Sequence, residues 1–298
     1  MICKEFEISG GGKLTAYVQD SQIYYQVYKK KPAMIICPGG AYMIHATRES
    51  EPAAVEFMAK GFQCFVLYYS VGTDREHPEK GINYGAKYPV QVLQIMEAMH
   101  LIHEHAEEWQ VDTENIFVTG FSAGAHVCAS LGTRWNDPEL TEKLSFVPEP
   151  EELKPAGMVL AYPMLCLNDD AFIAQYPESA MAGQTSTVYE ILFHDRTPSD
   201  SQKESVNLLR YVSEETVPAF IWNCIDDPVV DCRNAMRFVE NCLEKGVACE
   251  YHLFDHGGHG LAGNNVLTVM DRSEIDPAVS QWTDLAMAWI RGRKNERS

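Results

Sequence analysis

Several things are missing from this chain, and each absence removes a class of protein. No run reaches the roughly 18 apolar residues of a membrane helix. Met1-Ile2-Cys3-Lys4-Glu5 opens no apolar signal-like core, so no secretory signal is expected. No C-x-x-C pair occurs among the nine cysteines, which lie scattered from Cys3 to Cys249, several inside apolar runs such as Gln63-Cys64-Phe65-Val66-Leu67. Buried, reduced thiols in a cytoplasmic protein are therefore expected. H-E-x-x-H is absent too, and His100, His103 and His105 read as surface histidines of one helix rather than metal ligands. Positive charge is scarce: 24 Lys and Arg stand against 42 Asp and Glu, giving a formal net charge of −18. Nucleic acid and anionic membrane would both be repelled, so neither is expected as a partner. Internal repeats and low-complexity tracts are lacking as well.

What is present is an ordinary globular composition, 46% hydrophobic and 22% charged, over 298 residues. That length suits one large domain spanning 1–298. Strand-like and helix-like runs alternate, which predicts an α/β fold with a mostly parallel sheet flanked by helices. Strands are expected at Ala33–Cys37, Gln63–Val71, Asn115–Thr119, Gly157–Ala161, Ala219–Cys224 and Cys249–Phe254. Segments near Glu5–Ser9 and Gln22–Tyr28 would add an antiparallel edge. Helices are expected at Glu51–Lys60, Val90–Trp109, Ala123–Leu131 (ended by Gly132), Arg233–Lys245 (closed by Gly246) and Ser280–Arg291. Residues 165–217 have weak periodicity and much polar content, which suits a cap or lid inserted over a site.

The most informative stretch is Gly120-Phe121-Ser122-Ala123-Gly124, a G-x-S-x-G pentapeptide. It lies between a β-branched strand and a small, apolar helix, the setting of a nucleophile elbow rather than of an ordinary glycine-rich turn. Such a turn exposes the serine hydroxyl and aims the next N–H, that of Ala123, at any oxygen the serine attacks. A serine needs a histidine base and an acid to orient it, in the chain order Ser, acid, His. Strand Ile221–Cys224 runs into Asp226-Asp227; Asp227 is the preferred acid and Asp226 the alternative. The loop Asp255-His256-Gly257-Gly258-His259-Gly260 offers His259 as base, with His256 as alternative. His126, just after the elbow, reads as a packing or hydrogen-bonding residue. A second oxyanion donor is expected from Pro38-Gly39-Gly40-Ala41-Tyr42, at Gly40 or Ala41. Tyr42, Tyr68 and Tyr69 would narrow an acyl pocket, or else pack in the core.

These segments in this order resemble the esterase/lipase branch of the α/β-hydrolase superfamily, and within it bacterial acetyl-esterase or xylan-esterase-like enzymes. The resemblance rests on Cys37–Tyr42, Trp109-Gln110-Val111-Asp112, Gly120–Gly124, Ala161-Tyr162-Pro163, Asp226–Val230 and Gly258-His259-Gly260-Leu261. It implies an α/β-hydrolase fold with Ser122 as nucleophile, Asp227 as acid, His259 as base, and Gly40, Ala41 and Ala123 at the oxyanion hole. The implied activity is hydrolysis of short-chain, acetyl-like esters through an acyl-enzyme, without metal or organic cofactor. The partner would be a small-molecule ester, and homo-oligomer formation is left open. An amide-cleaving relative (peptidase or arylformamidase) and a non-catalytic binding protein are the alternatives. The chain departs from the pattern at Ala41, where many relatives carry a third glycine, and at Asp231, where many carry proline.

Overall fold

Continuous apolar runs, rather than alternating ones, build the centre of the sheet, because those strands are covered on both faces. Met34 to Cys37 and Cys64 to Leu67 are all fully buried. The computed structural model describes residues 1–19, 30–73, 78–167 and 180–296. Eight strands form one sheet: β1 (Ile2–Ile8), β2 (Gly12–Val18), β3 (Lys31–Cys37), β4 (Gln63–Tyr68), β5 (Val111–Phe121), β6 (Gly157–Ala161), β7 (Ala219–Cys224) and β8 (Cys249–Phe254). Their spatial order is β1-β2-β4-β3-β5-β6-β7-β8. Pairings from β4 to β8 are parallel, and β1 and β2 add an antiparallel edge.

The helices are α1 (Glu51–Ala59), α2 (Val90–Glu104), α3 (Ala123–Arg134), α4 (Pro138–Thr141), α5 (Ala180–Phe193), α6 (Asp200–Ser205), α7 (Cys232–Glu244) and α8 (Trp282–Glu296). One face of the sheet packs against Val92, Met96 and Met99 of α2, Val127 and Leu131 of α3, and Phe238 of α7. The other packs against Phe57 of α1 and Trp282, Ala286 and Ile290 of α8. The chain leaves β3 toward the α1 face and leaves the adjacent β5 toward the α3 face. The carboxyl ends of these two strands thus form a topological switch point, where open α/β sheets place their sites. No helix among the described residues is long and apolar enough to cross a membrane.

Four expectations need correction. The antiparallel partner of β1 is Gly12–Val18, in which Leu14, Ala16 and Val18 alternate toward the core; the segment proposed near 22–28 lies outside the described residues. Helix α2 stops at Glu104, and Trp109 turns back to pack on Phe6 and Phe65. Strand β4 ends at Tyr68, short of Val71. Gly132 does not end α3: it lies within the helix, where a Cβ would come 2.6 Å from Met158 Sδ. Glycine is there to let helix and sheet approach, not to stop the helix. Of the insertion at 165–217, the described part holds α5 and α6, between β6 and β7.

Candidate active site

Strand β5 delivers Ser122 to the start of α3 with φ 50° and ψ −116°, a sparsely populated conformation for a residue with a Cβ. Its neighbours make the turn sterically feasible. A Cβ on Gly120 would lie 2.4 Å from the carbonyl oxygen of Gly124, and one on Gly124 would lie 2.0 Å from that of Cys37. Both glycines of the pentapeptide are thus required by backbone contact. The Ser122 N–H donates to Ala161 O (3.0 Å), and Ser122 O accepts from Ala125 and His126, so the elbow is fixed on both sides.

Three side chains predicted from separate segments are brought together here. His259 Nε2 lies 2.9 Å from Ser122 Oγ, and His259 Nδ1 lies 2.7 Å from Asp227 Oδ2. The second oxygen of Asp227 accepts the N–H groups of Val229 (2.8 Å) and Val230 (3.0 Å). Its side chain is wholly shielded, while that of His259 is 15% exposed. With Asp227 accepting at Nδ1, the matching tautomer carries its proton there and leaves Nε2 free to accept from the serine.

Asp226 is placed differently. Its carboxylate accepts the N–H groups of Gly257 and Gly258, anchoring the loop that carries His259. His256 lies on the surface between Asp255 and Asp276, whose carboxylates raise its pKa, and it does not reach Ser122. Asp231 caps α7 by accepting the Arg233 N–H, which accounts for an acid where relatives of the resembled family carry proline.

The loop after β3 abuts the serine: a Cβ on Gly39 would sit 3.0 Å from Ser122 Cβ. Gly40 has φ +124°, with Ile44 O where a Cβ would go, and Ala41 and Tyr42 follow at φ 54° and 59°. Carbonyls of Gly39 and Gly40 accept from Ala46, Met43 and Ile44, which curls the loop back on itself. Among the described residues, the N–H groups of Gly40, Ala41 and Ala123 donate to no protein acceptor.

Tyr42 and Tyr69 are each 1% exposed, with hydroxyls on His126 Nδ1 (2.7 Å) and Pro38 O (2.7 Å). Through these hydroxyls they brace the loop from the core. His126 passes the contact on, donating from Nε2 to Val206 O (2.8 Å) in the insertion between β6 and β7. Complete burial lowers its pKa to about 4, which keeps the ring neutral. Glu49, a buried residue that sequence reasoning did not single out, and Tyr162 complete the surroundings. Glu49 accepts the Gly39 N–H (2.7 Å) and the Tyr162 hydroxyl (2.7 Å), and the Tyr162 ring packs edge-on to His259 at 4.8 Å between centroids. No group of three or more potential metal ligands exists among the described residues.

An eight-stranded, mostly parallel sheet whose central strand turns through a strained serine into a buried helix, with histidine and aspartate arriving from the loops after β8 and β7, defines an α/β-hydrolase. The chain belongs to the BD-FAE family, whose sequence model matches residues 22–242. It is similar to endo-1,4-beta-xylanase B of Butyrivibrio fibrisolvens, 28% identical over 85% of this chain and 35% of that protein. It is also similar to an acetylxylan esterase of Xylanibacter ruminicola, 21% identical over 77% of this chain and 41% of that protein. Overall the chain spans 35% to 48% of the length of the curated relatives it matches. Among solved structures, a carboxylesterase from Lactobacillus plantarum WCFS1 is 28% identical with a TM-score of 0.78, covering 99% of this chain and 98% of that one. An acetyl ester-xyloside bifunctional hydrolase from Caldicellulosiruptor lactoaceticus is 27% identical with a TM-score of 0.70, over 95% of this chain and 88% of that one.

Proposed function

We propose that the protein is a serine carboxylesterase acting on short-chain, acetyl-like esters of small molecules, built as one domain with a cap at about 165–217. The observation that carries this reading is the continuous hydrogen-bonded line Ser122 Oγ–His259–Asp227, at 2.9 and 2.7 Å. Ser122 attacks the ester carbonyl while His259 Nε2 takes the hydroxyl proton. Asp227 holds the ring and stabilises the imidazolium. The oxyanion develops against the N–H groups of Ala123 and of Gly40 or Ala41, each such donor contributing about 3 kcal/mol to transition-state stabilisation. His259 then returns its proton to the departing alcohol, and water, activated by the same histidine, hydrolyses the acyl-enzyme. These steps require no metal or organic cofactor. The acetyl preference draws on the relatives named for acetyl ester hydrolysis.

The test is hydrolysis of acetyl and octanoyl nitrophenyl esters by wild type and Ser122→Ala, with fluorophosphonate labelling alongside. Loss of labelling is expected in the variant, together with a fall in kcat of up to about 10⁶-fold. Equal activity and labelling in both proteins would refute the serine mechanism. Faster octanoyl than acetyl turnover would refute the short-chain preference.

A further inference from the structure

Glu49 ends the short turn Thr47–Glu49 ahead of α1 and is only 3% exposed, although nothing in the acid–base line to Ser122 uses it. A buried carboxylate is costly unless its oxygens are satisfied, and here each oxygen has one donor. Oε2 accepts from the Gly39 N–H, and Oε1 accepts from the Tyr162 hydroxyl. Tyr162, fully buried, accepts in turn from the Ala262 N–H at 2.9 Å. Ala262 follows His259 by three residues, adopts φ 51°, and has its carbonyl bound by the Trp282 indole N–H. An unbroken buried line therefore runs from the oxyanion loop, through Glu49 and Tyr162, to the loop that carries His259. Its middle member rests edge-on against the His259 ring.

With donors on both oxygens, the carboxylate needs no proton to be satisfied. The groups facing it are Tyr162, Tyr69, Arg48 and His259. Burial raises its pKa, whereas Tyr162, the Gly39 N–H, His259 and Arg48 favour the charge. The same line occupies the Gly39 N–H.

We propose that Glu49 is a positioning residue: through Tyr162 it holds the oxyanion loop and the His259 loop in one register. This rests on the serine-esterase reading above. The test uses Tyr162→Phe, which deletes only the linking hydroxyl, and Glu49→Gln, which keeps the shape but not the charge. Acetyl ester kcat and KM, fluorophosphonate labelling rate and Tm are measured for each beside wild type.

A misplacement of reacting groups by about 1 Å costs on the order of 100-fold, and kcat should fall by 10- to 100-fold in both variants with KM little changed. Labelling should slow in parallel. Variants with wild-type kcat and labelling rate, whatever their Tm, would overturn the proposal. A wild type that labels at Ser122 without cleaving esters would overturn the esterase reading alone, and labelling rates would then decide the role of Glu49. A wild type that does neither would overturn both.

Discussion

Helices α3 and α7 pack on the same face of the same sheet and have nearly the same length, yet they obey different rules. All twelve residues of α3 are buried, whereas α7 buries only Asn234, Ala235, Phe238 and Cys242 of its thirteen. Helix α7 is an amphipathic cover, with Met236 and Leu243 turned to water. Helix α3 is an internal strut made of small residues, and its polar groups are all engaged. Ser130 and Thr133 donate back to His126 O and Ala129 O, and Arg134 reaches Asp137 and Tyr88. The lesson is that the helix behind the nucleophile has no tolerant face. Its position relative to β3 and β5 is set by close backbone contact.

The contrast can be broken hardest at Gly124. Gly124→Ala puts a methyl 2.0 Å from Cys37 O and 2.6 Å from Pro38 O, so α3 must leave β3 where the oxyanion loop begins. A loss of about 3 kcal/mol or more is expected in urea unfolding, with ester hydrolysis lost as well. Retained activity at wild-type stability would show that α3 has slack after all.

A milder probe is acid. His126 in α3 has its pKa lowered from 6.5 to about 4 by burial. The unfolded chain therefore takes up the proton first as pH falls below 6.5. Stability from the neutral ring is present above that pH and is lost progressively toward pH 4, about 3 kcal/mol in all. The carboxyl of Glu49, pushed up by burial, acts in the opposite sense. The informative quantity is thus the difference between wild type and His126→Gln, measured by urea unfolding from pH 7 to 4. Parallel pH dependences would mean that His126 titrates freely.

The smallest effect belongs to α7. Leu243→Lys, at a site 68% exposed, should shift stability by no more than about 0.5 kcal/mol and leave kcat/KM unchanged. A large loss would mean that α7 is not the simple cover its burial pattern describes.

The same contrast explains what could be read from the sequence. The apolar runs of β3, β4, β6 and β7 were legible because strands buried on both faces carry no polar alternation. Helix α7 was legible because Ala235, Phe238 and Cys242 recur at helical spacing. Helix α3 has no such period and was legible only through its G-x-S-x-G entry; its end was misread, since a glycine inside a packed helix looks like a stop signal. Strand β2 carried the right alternation in Leu14, Ala16 and Val18, but it is short and interleaved with Lys13, Thr15 and Tyr17.

Candidate site residues were legible where chemistry demands an order: Ser122, then Asp227, then His259. The choice between the two aspartates was only a preference for Asp227, because it depends on which carboxylate turns toward the imidazole and which toward the Gly257 and Gly258 N–H groups. Glu49 left no signal at all. An acid in a polar stretch reads as a surface charge, and its burial is made affordable only by donors 10 and 113 residues away.

The bond between His259 and Ser122 joins positions 137 residues apart and needs β8, the last strand of the sheet, to be laid against β7. Contacts of such long range carry a large loop-closure cost and form late. A chain emerging during synthesis can therefore shape its serine turn well before the His259 ring reaches it, and the pair is complete only once the far edge of the sheet is.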